Sequence, residues 1–292
     1  TLLTSKGKSS PVAEDKVQKD DRGADEEDSV SSAAESRARF MIEGVDVRPY
    51  LPKVLPASTV LGALCMLWVQ LPALHVYAPA QVCFGTLFLL TMWCMAYCAY
   101  ADPGQMQETV DVEQGMPQRA HKSWQYPLPI LRHDHYCKWI NNVIGLRNHR
   151  SFVVMLFGLA ALGVVGCTVD AWLFMALLIQ EGIYVTPLQF FFLFFHLLYS
   201  LTLLYLDGPI IRIHWGLICR NELNQEWKED AFWVAPGESH TPAKELGVEE
   251  YNALLDSDSL VYDASRNHFD QGVARNCWTF WFKERSGSLG EW

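Results

Sequence analysis

Residues 152–179 read FVVMLFGLAALGVVGCTVDAWLFMALLI, and this stretch decides the fold. It runs for 28 positions with one ionisable group, Asp170. A helix needs about 20 mostly apolar residues to cross a bilayer, whereas a helix at the edge of a soluble core keeps a polar face. Upstream, residues 54–77 carry no charge between Lys53 and His75, and residues 80–100 carry none at all. Downstream, residues 188–206 hold His196 as their only ionisable group. Four such runs predict four transmembrane helices, and the fold class expected is an all-α polytopic membrane protein.

Around these spans the chain divides into unlike parts. Residues 1–50 form a polar, acidic N-terminal tail whose alternating Asp, Glu, Lys and Arg over positions 14–28 reads as disordered by composition. Residues 51–100 hold helices 1 and 2, residues 101–151 a long polar loop, residues 152–206 helices 3 and 4, and residues 207–292 a Trp-rich C-terminal region. The long loop carries Arg119, Lys122, Arg132, Lys138, Arg147 and Arg150, while the two short connectors carry no Lys or Arg. The positive-inside rule then sets the loop, the C-terminal region and both termini on the cytosolic side. The organelle is not legible.

Composition excludes some functions. The 292 residues carry a formal net charge of −10, which argues against a nucleic-acid partner, because phosphate binding needs a basic face. The spans hold too few charges to line a transport path. Eight cysteines without a Cys-x-x-Cys pair, five of them inside apolar runs, point to free thiols rather than a disulfide scaffold. Asp170 is expected near the non-cytosolic interface, and His196 as a neutral, hydrogen-bonded residue between helices.

The chemistry concentrates at Asp134-His135-Tyr136-Cys137 in the long loop. A thiol is a poor nucleophile until it is deprotonated. An imidazole can take the proton, and a carboxylate can orient the imidazole and stabilise its cation. Asp134, His135 and Cys137 offer those three roles if the backbone folds them together. By itself the tetrapeptide is a weak signal.

Its surroundings are more specific. Asp102-Pro103-Gly104 follows span 2, Pro117 and Arg119 precede the motif, and His121 stands fourteen residues before His135. Trp139, Asn141, Asn142, Gly145, Asn148 and Phe152 follow it. After span 4 comes Asn221-Glu-Leu-Asn-Gln-Glu226, and near the end Asn267-His-Phe269 leads on to Asn276. In order and spacing this series resembles the DHHC-type protein S-acyltransferases, in a variant with Tyr136 in place of the second His. The resemblance covers roughly residues 54–282. It implies that Cys137 is acylated by a long-chain acyl-coenzyme A and passes the acyl group to substrate proteins with cytosolic cysteines. His135 would be the general base and Asp134 its orienting carboxylate. Asp102, Pro103, Gly104, Arg119, His121, Trp139, Asn141, Asn142, Asn148, Glu226, Asn267, Phe269 and Asn276 would be structural. No prosthetic group is implied. The partners are the lipid bilayer, acyl-CoA and the substrate proteins.

The pattern breaks at one place. The family's loop is built on zinc held by Cys and His, but the matching positions here read Lys122, Ser123, Tyr126, Pro129, Tyr136 and Val143, with Thr109 and Val112 upstream. Both Thr positions after span 4 are also replaced, by Leu223 and Asn224. Zinc is therefore expected to be absent, with Trp124, Tyr126, Tyr136, Trp139 and the stiff Pro127–Leu128–Pro129 segment as candidates to order the loop in its stead. Two readings follow. Either the chain is an acyltransferase that rebuilt its loop without metal, or it is a catalytically inactive relative serving as a subunit of a larger membrane complex.

Overall fold

A computed structural model describes residues 41–42, 45–73, 78–106, 116–179, 186–237 and 240–285. Most of the acidic tail and the positions of Thr109 and Val112 lie outside the described residues. Each apolar run forms a long helix. Helix α1 (Leu51–Cys65) starts with Pro52 in its first turn and passes into a π-helical turn at Met66–Gln70. Helix α2 spans Ala78–Tyr100, α3 spans His149–Ile179 and α4 spans Pro187–Arg220. These are four helices long and apolar enough to cross a membrane. Their outward faces show Trp68, Trp93, Leu89 and Phe194, as lipid-facing surfaces do.

Helix α4 begins where Thr186 and Gln189 form a reciprocal capping box, with Pro187 in the first turn. It runs on past Leu206, into what the sequence assigns to the C-terminal region, and ends at Asn221 in the left-handed conformation (φ 47°). At 1.5 Å per residue its 34 residues reach about 50 Å, against about 30 Å of hydrocarbon, so its last turns stand clear of the bilayer. The polar segments gather at that same end.

The all-α expectation holds for the spans, but the polar parts add small antiparallel hairpins: β1 (Met41–Ile42) with β2 (Val45–Asp46), β3 (His135–Cys137) with β4 (Asn142–Ile144), and β5 (Trp233–Val234) with β6 (Val261–Tyr262). Short helices α5 (Asn224–Lys228), α6 (Val248–Asp256) and α7 (Val273–Phe282) complete the C-terminal region.

Helix α3 is the centre of the bundle, with α4 on one side and α2 on another. Its glycines make this possible. Gly158 lies directly against Thr91 of α2, and Gly163 and Gly166 lie against Leu204 and Ser200 of α4, so that the backbones approach closely. One apolar cluster runs from Cys94, Met95 and Cys98 through Phe152, Met155 and Leu203 to Cys137, Ile140 and Ile144 of the loop and Phe280 of α7. The loop is thereby seated on the bundle.

Asp170 does not stand alone at an interface. It is fully buried, and its Oδ2 lies 2.6 Å from Nδ1 of His196, joining α3 to α4 inside the bundle. Replacing Asp170 with Leu leaves that imidazole without its partner, and should cost about 1–3 kcal/mol of stability. Melting of the detergent-solubilised protein checks it. An unchanged melting temperature would show that the pair is dispensable.

Candidate active site

The loop is folded by its backbone turns and a few buried amides. Asp102 Oδ1 accepts the N–H groups of Gly104 and Gln105, each at 2.9 Å, and Oδ2 pairs with Arg147 at 2.7 Å. Gly104 needs its glycine, since φ is 113°. Gly145 is needed for space: a Cβ there would sit 2.8 Å from the Pro103 carbonyl and 2.6 Å from Ile130. Asn142 donates to the carbonyls of Cys98 and Ala101 at the end of α2. Asn148 closes the turn after β4 by donating to Val143 O and accepting from Gly145 N.

On this base stands the hairpin β3–β4, whose register pairs His135 with Ile144, Tyr136 with Val143 and Cys137 with Asn142. Its turn places Asn141 at φ 57°, a conformation Asn tolerates, and Asn141 accepts from the Tyr136 hydroxyl at 2.6 Å. Trp139, in the same turn, packs half-buried against the apolar cluster. Because side chains alternate along a strand, His135 and Cys137 share one face of β3.

The three predicted catalytic residues are brought together. His135 Nδ1 lies 2.7 Å from Asp134 Oδ2, and His135 is also hydrogen-bonded to Cys137. Asp134 is 1% exposed and its Oδ1 accepts the backbone N–H of Asn224, at the start of α5, at 2.9 Å. The lost Thr position thus still serves the site, through its main chain. Burial pushes the Asp134 carboxyl up, but the imidazoles of His149, His135 and His214 more than offset this and hold it well below the usual range. For His135, burial acts against the cation. The bonds to Asp134 and Cys137 prevail and raise it from 6.5 to about 9.

A second constellation ties the loop to the C-terminal region. Arg119, 1% exposed, makes a two-pronged pair with Glu226 at 2.7 and 2.8 Å, donates to Asn221 O at 2.7 Å, and stacks 3.4 Å over the Phe269 ring. Glu226 also accepts from Leu223 N, and Asn221 donates to Phe269 O. Asn267 and Asn276 donate to the carbonyls of Arg220 and Cys219, which α4 leaves open at its C-terminus. These bonds put residues 116–148 and 221–285 on one side of the bundle.

A cleft of about 500 Å³ opens beside the hairpin, lined by His121, Lys122, His133, Asp134, His135, Tyr136, Lys138, Gln225 and Lys228. His121 and His133 meet edge to face in it, ring centroids 5.9 Å apart. Two residues of this neighbourhood escaped the sequence reading: His149, first residue of α3, and His214, near the end of α4. His149 stands beside a motif Asn, a faint signal. His214 has none, being 79 positions from His135.

The positions that hold zinc in the family do not fit it here. Lys122 is exposed, Tyr126 donates to Asn142 at 2.6 Å, Tyr136 donates to Asn141, and Val143 is an apolar core residue. None supplies a thiolate or imidazole.

Comparison with known proteins finds sequence similarity across the loop. The family model described as DHHC palmitoyltransferase matches residues 111–231. The chain is similar to "Palmitoyltransferase AKR1" of Yarrowia lipolytica, 28% identical over 130 residues, covering 36% of this chain and 16% of that protein. It is also similar to "Probable protein S-acyltransferase 15" of Arabidopsis thaliana, 26% identical over 95 residues, covering 25% of this chain and 37% of that protein. The chain thus spans well under two thirds of either relative. Fold and site define an integral membrane protein with an Asp–His–Cys constellation at one end of a four-helix bundle. The stretch that carries this constellation, residues 111–231, is similar to the DHHC palmitoyltransferase family.

Two outcomes follow. Glu226→Ala leaves the Arg119 guanidinium buried and uncompensated, which should cost about 3–5 kcal/mol and expose the loop to protease before the bundle melts. Equal protease resistance in variant and wild type would count against the clamp. The second concerns pH. Since folding raises His135 above its unfolded value, its stabilisation is full below about 6.5 and is lost as pH rises through about 9. Wild type should therefore lose its stability advantage over His135→Gln across that window, measured by melting at stepped pH. Parallel curves would contradict the assignment.

Proposed function

We propose that the protein is a protein S-acyltransferase that works by two successive thiol–thioester exchanges at Cys137. The observation that carries this is the Asp134–His135 pair at 2.7 Å, with His135 bonded to Cys137, inside a DHHC domain. With Nδ1 held by Asp134, the other ring nitrogen faces the thiol, and the raised value of His135 favours the imidazolium that forms when it takes the thiol proton. The Cys137 sulfur then attacks the thioester carbonyl of a long-chain acyl-CoA. The carbon–sulfur bond to coenzyme A breaks, and the departing thiolate takes its proton back from His135. In the second half, a cysteine of a substrate protein gives its proton to His135 and attacks acyl-Cys137, which restores the free thiol. Asp134 keeps one tautomer and stabilises the transient imidazolium.

The cleft suits the carrier. Lys122, Lys138 and Lys228 line it together with three histidines, a cationic wall for the phosphates of coenzyme A. Cys137 itself belongs to the apolar cluster that continues into the spans, so the acyl chain would extend from the sulfur into the bundle. Each methylene buried there contributes about 0.8 kcal/mol. In this reading the loop, the C-terminal region and both termini face the cytosol, and the loop is ordered without zinc.

The alternative, an inactive relative acting as a subunit of a membrane complex, is favoured by the missing zinc ligands alone. Labelled acyl-CoA separates the two. Wild type should acquire a hydroxylamine-labile adduct, and Cys137→Ala should acquire none. A folded wild type that stays unlabelled would falsify the enzymatic reading.

A further inference from the structure

Asp134 has more basic neighbours than acyl transfer requires. His135 bonds one of its oxygens, and Nε2 of His149 lies 4.0 Å from the other. The His214 ring is 5.5 Å from that of His135 and 6.1 Å from that of His149, centroid to centroid. One donor atom from each of Asp134, His135 and His214 lies within 4.8 Å of the other two. These groups converge from four places in the chain: the residue before β3, β3 itself, the first turn of α3 and the final turns of α4.

Two of the imidazoles are buried without a hydrogen-bond partner. His149 and His214 are 2% and 5% exposed, and both ring nitrogens of His149 and Nδ1 of His214 bond to nothing. Buried polar atoms are nearly always satisfied, and the exceptions in native proteins call for a water, an ion or a catalytic role. Neither residue reaches Cys137 through a bond on which the proposed acyl transfer depends. Their nitrogens converge on a carboxylate, which is a donor set rather than a packing motif. One carboxylate with imidazoles suits a borderline divalent ion, which would displace the His135 proton on binding; calcium and magnesium prefer oxygen ligands. The cleft reaches Asp134 and His135, and so gives an ion a way in.

We propose that Asp134, His135 and His214, with His149 in reach as a fourth donor, bind a divalent ion of the zinc class that blocks acyl transfer while it is bound. The site shares no residue with the positions that hold structural zinc in the family. The ion engages the carboxylate and the imidazole that Cys137 needs as its base, so metal binding and thiol activation are mutually exclusive. Binding itself is independent of the proposed function; the block rests on it.

The test uses the full chain without a histidine tag, solubilised, stripped with chelator and titrated with Co²⁺ as a spectroscopic substitute for Zn²⁺. About one equivalent should bind, with visible ligand-field bands that Zn²⁺ abolishes by displacement. His214→Gln and His149→Gln should each bind at least ~10-fold more weakly, and Cys137→Ala should bind as wild type does. Zn²⁺ should suppress acyl labelling of wild type, and chelator should restore it. Failure of wild type to take up Co²⁺, or equal affinity in a folded His214→Gln, overturns the site. Should both glutamine variants fail to fold, X-ray absorption of the Zn²⁺-loaded wild type decides: fewer than two imidazole ligands overturns the site, two or more support it. A protein that binds Co²⁺ through these histidines but never labels keeps the site and removes the enzymatic reading.

Discussion

The buried charge of Asp134 is the constraint around which the polar half of the molecule is organised. A carboxylate taken out of water needs donors on both oxygens, and no single segment of this chain supplies them. The nearest comes from the adjacent residue, His135, and the next from the main chain at the start of α5, ninety positions away. His149 and His214 complete the surround from α3 and α4. To satisfy one side chain, the loop and the C-terminal region must come to the same place, against the ends of two spans. A carboxylate at the candidate site is thereby also a folding constraint.

Arg119 closes the same assembly from the other side. Its guanidinium is as deeply buried as Asp134, and its fork geometry is matched by Glu226, a main-chain carbonyl and an aromatic face. Lysine offers no planar fork and would leave part of this unpaired. Between these two buried charges the loop is held by the Asp102–Arg147 pair and by neutral bonds. Tyr126 and Tyr136, standing where the family has zinc ligands, donate their hydroxyls to the neighbouring amides Asn142 and Asn141. A zinc ion fixes four side chains at once, whereas a hydroxyl–amide bond fixes two. The loop therefore draws correspondingly more on the apolar cluster beneath it and on its contacts with α5 and the C-terminal segment.

What the sequence made legible follows from the range over which each signal acts. The spans were legible because hydrophobic length is local: a run of 28 residues with one carboxylate needs no partner to be read. The site was legible in its members, Asp134, His135 and Cys137, because they lie within four residues and because Asp102, Arg119, Asn148, Glu226 and Asn276 keep a fixed order along the chain. Their geometry was not. That Asp134 meets the N–H of Asn224 is a main-chain contact and leaves no trace in residue type, and the replacement of Thr there looked like a loss. His214 lies in an otherwise apolar helix, and only the packing of α4 against α3 brings it to the site. The end of α4 lies beyond its apolar run for the related reason that hydropathy falls at Asp207, while the helix continues until Asn221 turns it.

The chain contains two Asp–His pairs of nearly equal length, and the comparison shows what makes one of them chemical. Asp170 and His196 meet at 2.6 Å, Asp134 and His135 at 2.7 Å, each through Nδ1 and each with a buried carboxylate. Hydrogen-bond geometry does not distinguish them. The surroundings do. His196 is sealed between α3 and α4, with Tyr199 as its ring neighbour, and its pairing offsets the cost of two polar groups at membrane depth. His135 has a thiol bonded to it and a cleft in front of it. An Asp–His pair inside the bundle is a joint between helices. Carried to the rim on a β-hairpin, with a thiol and a cleft beside it, the same pair stands where a base can act.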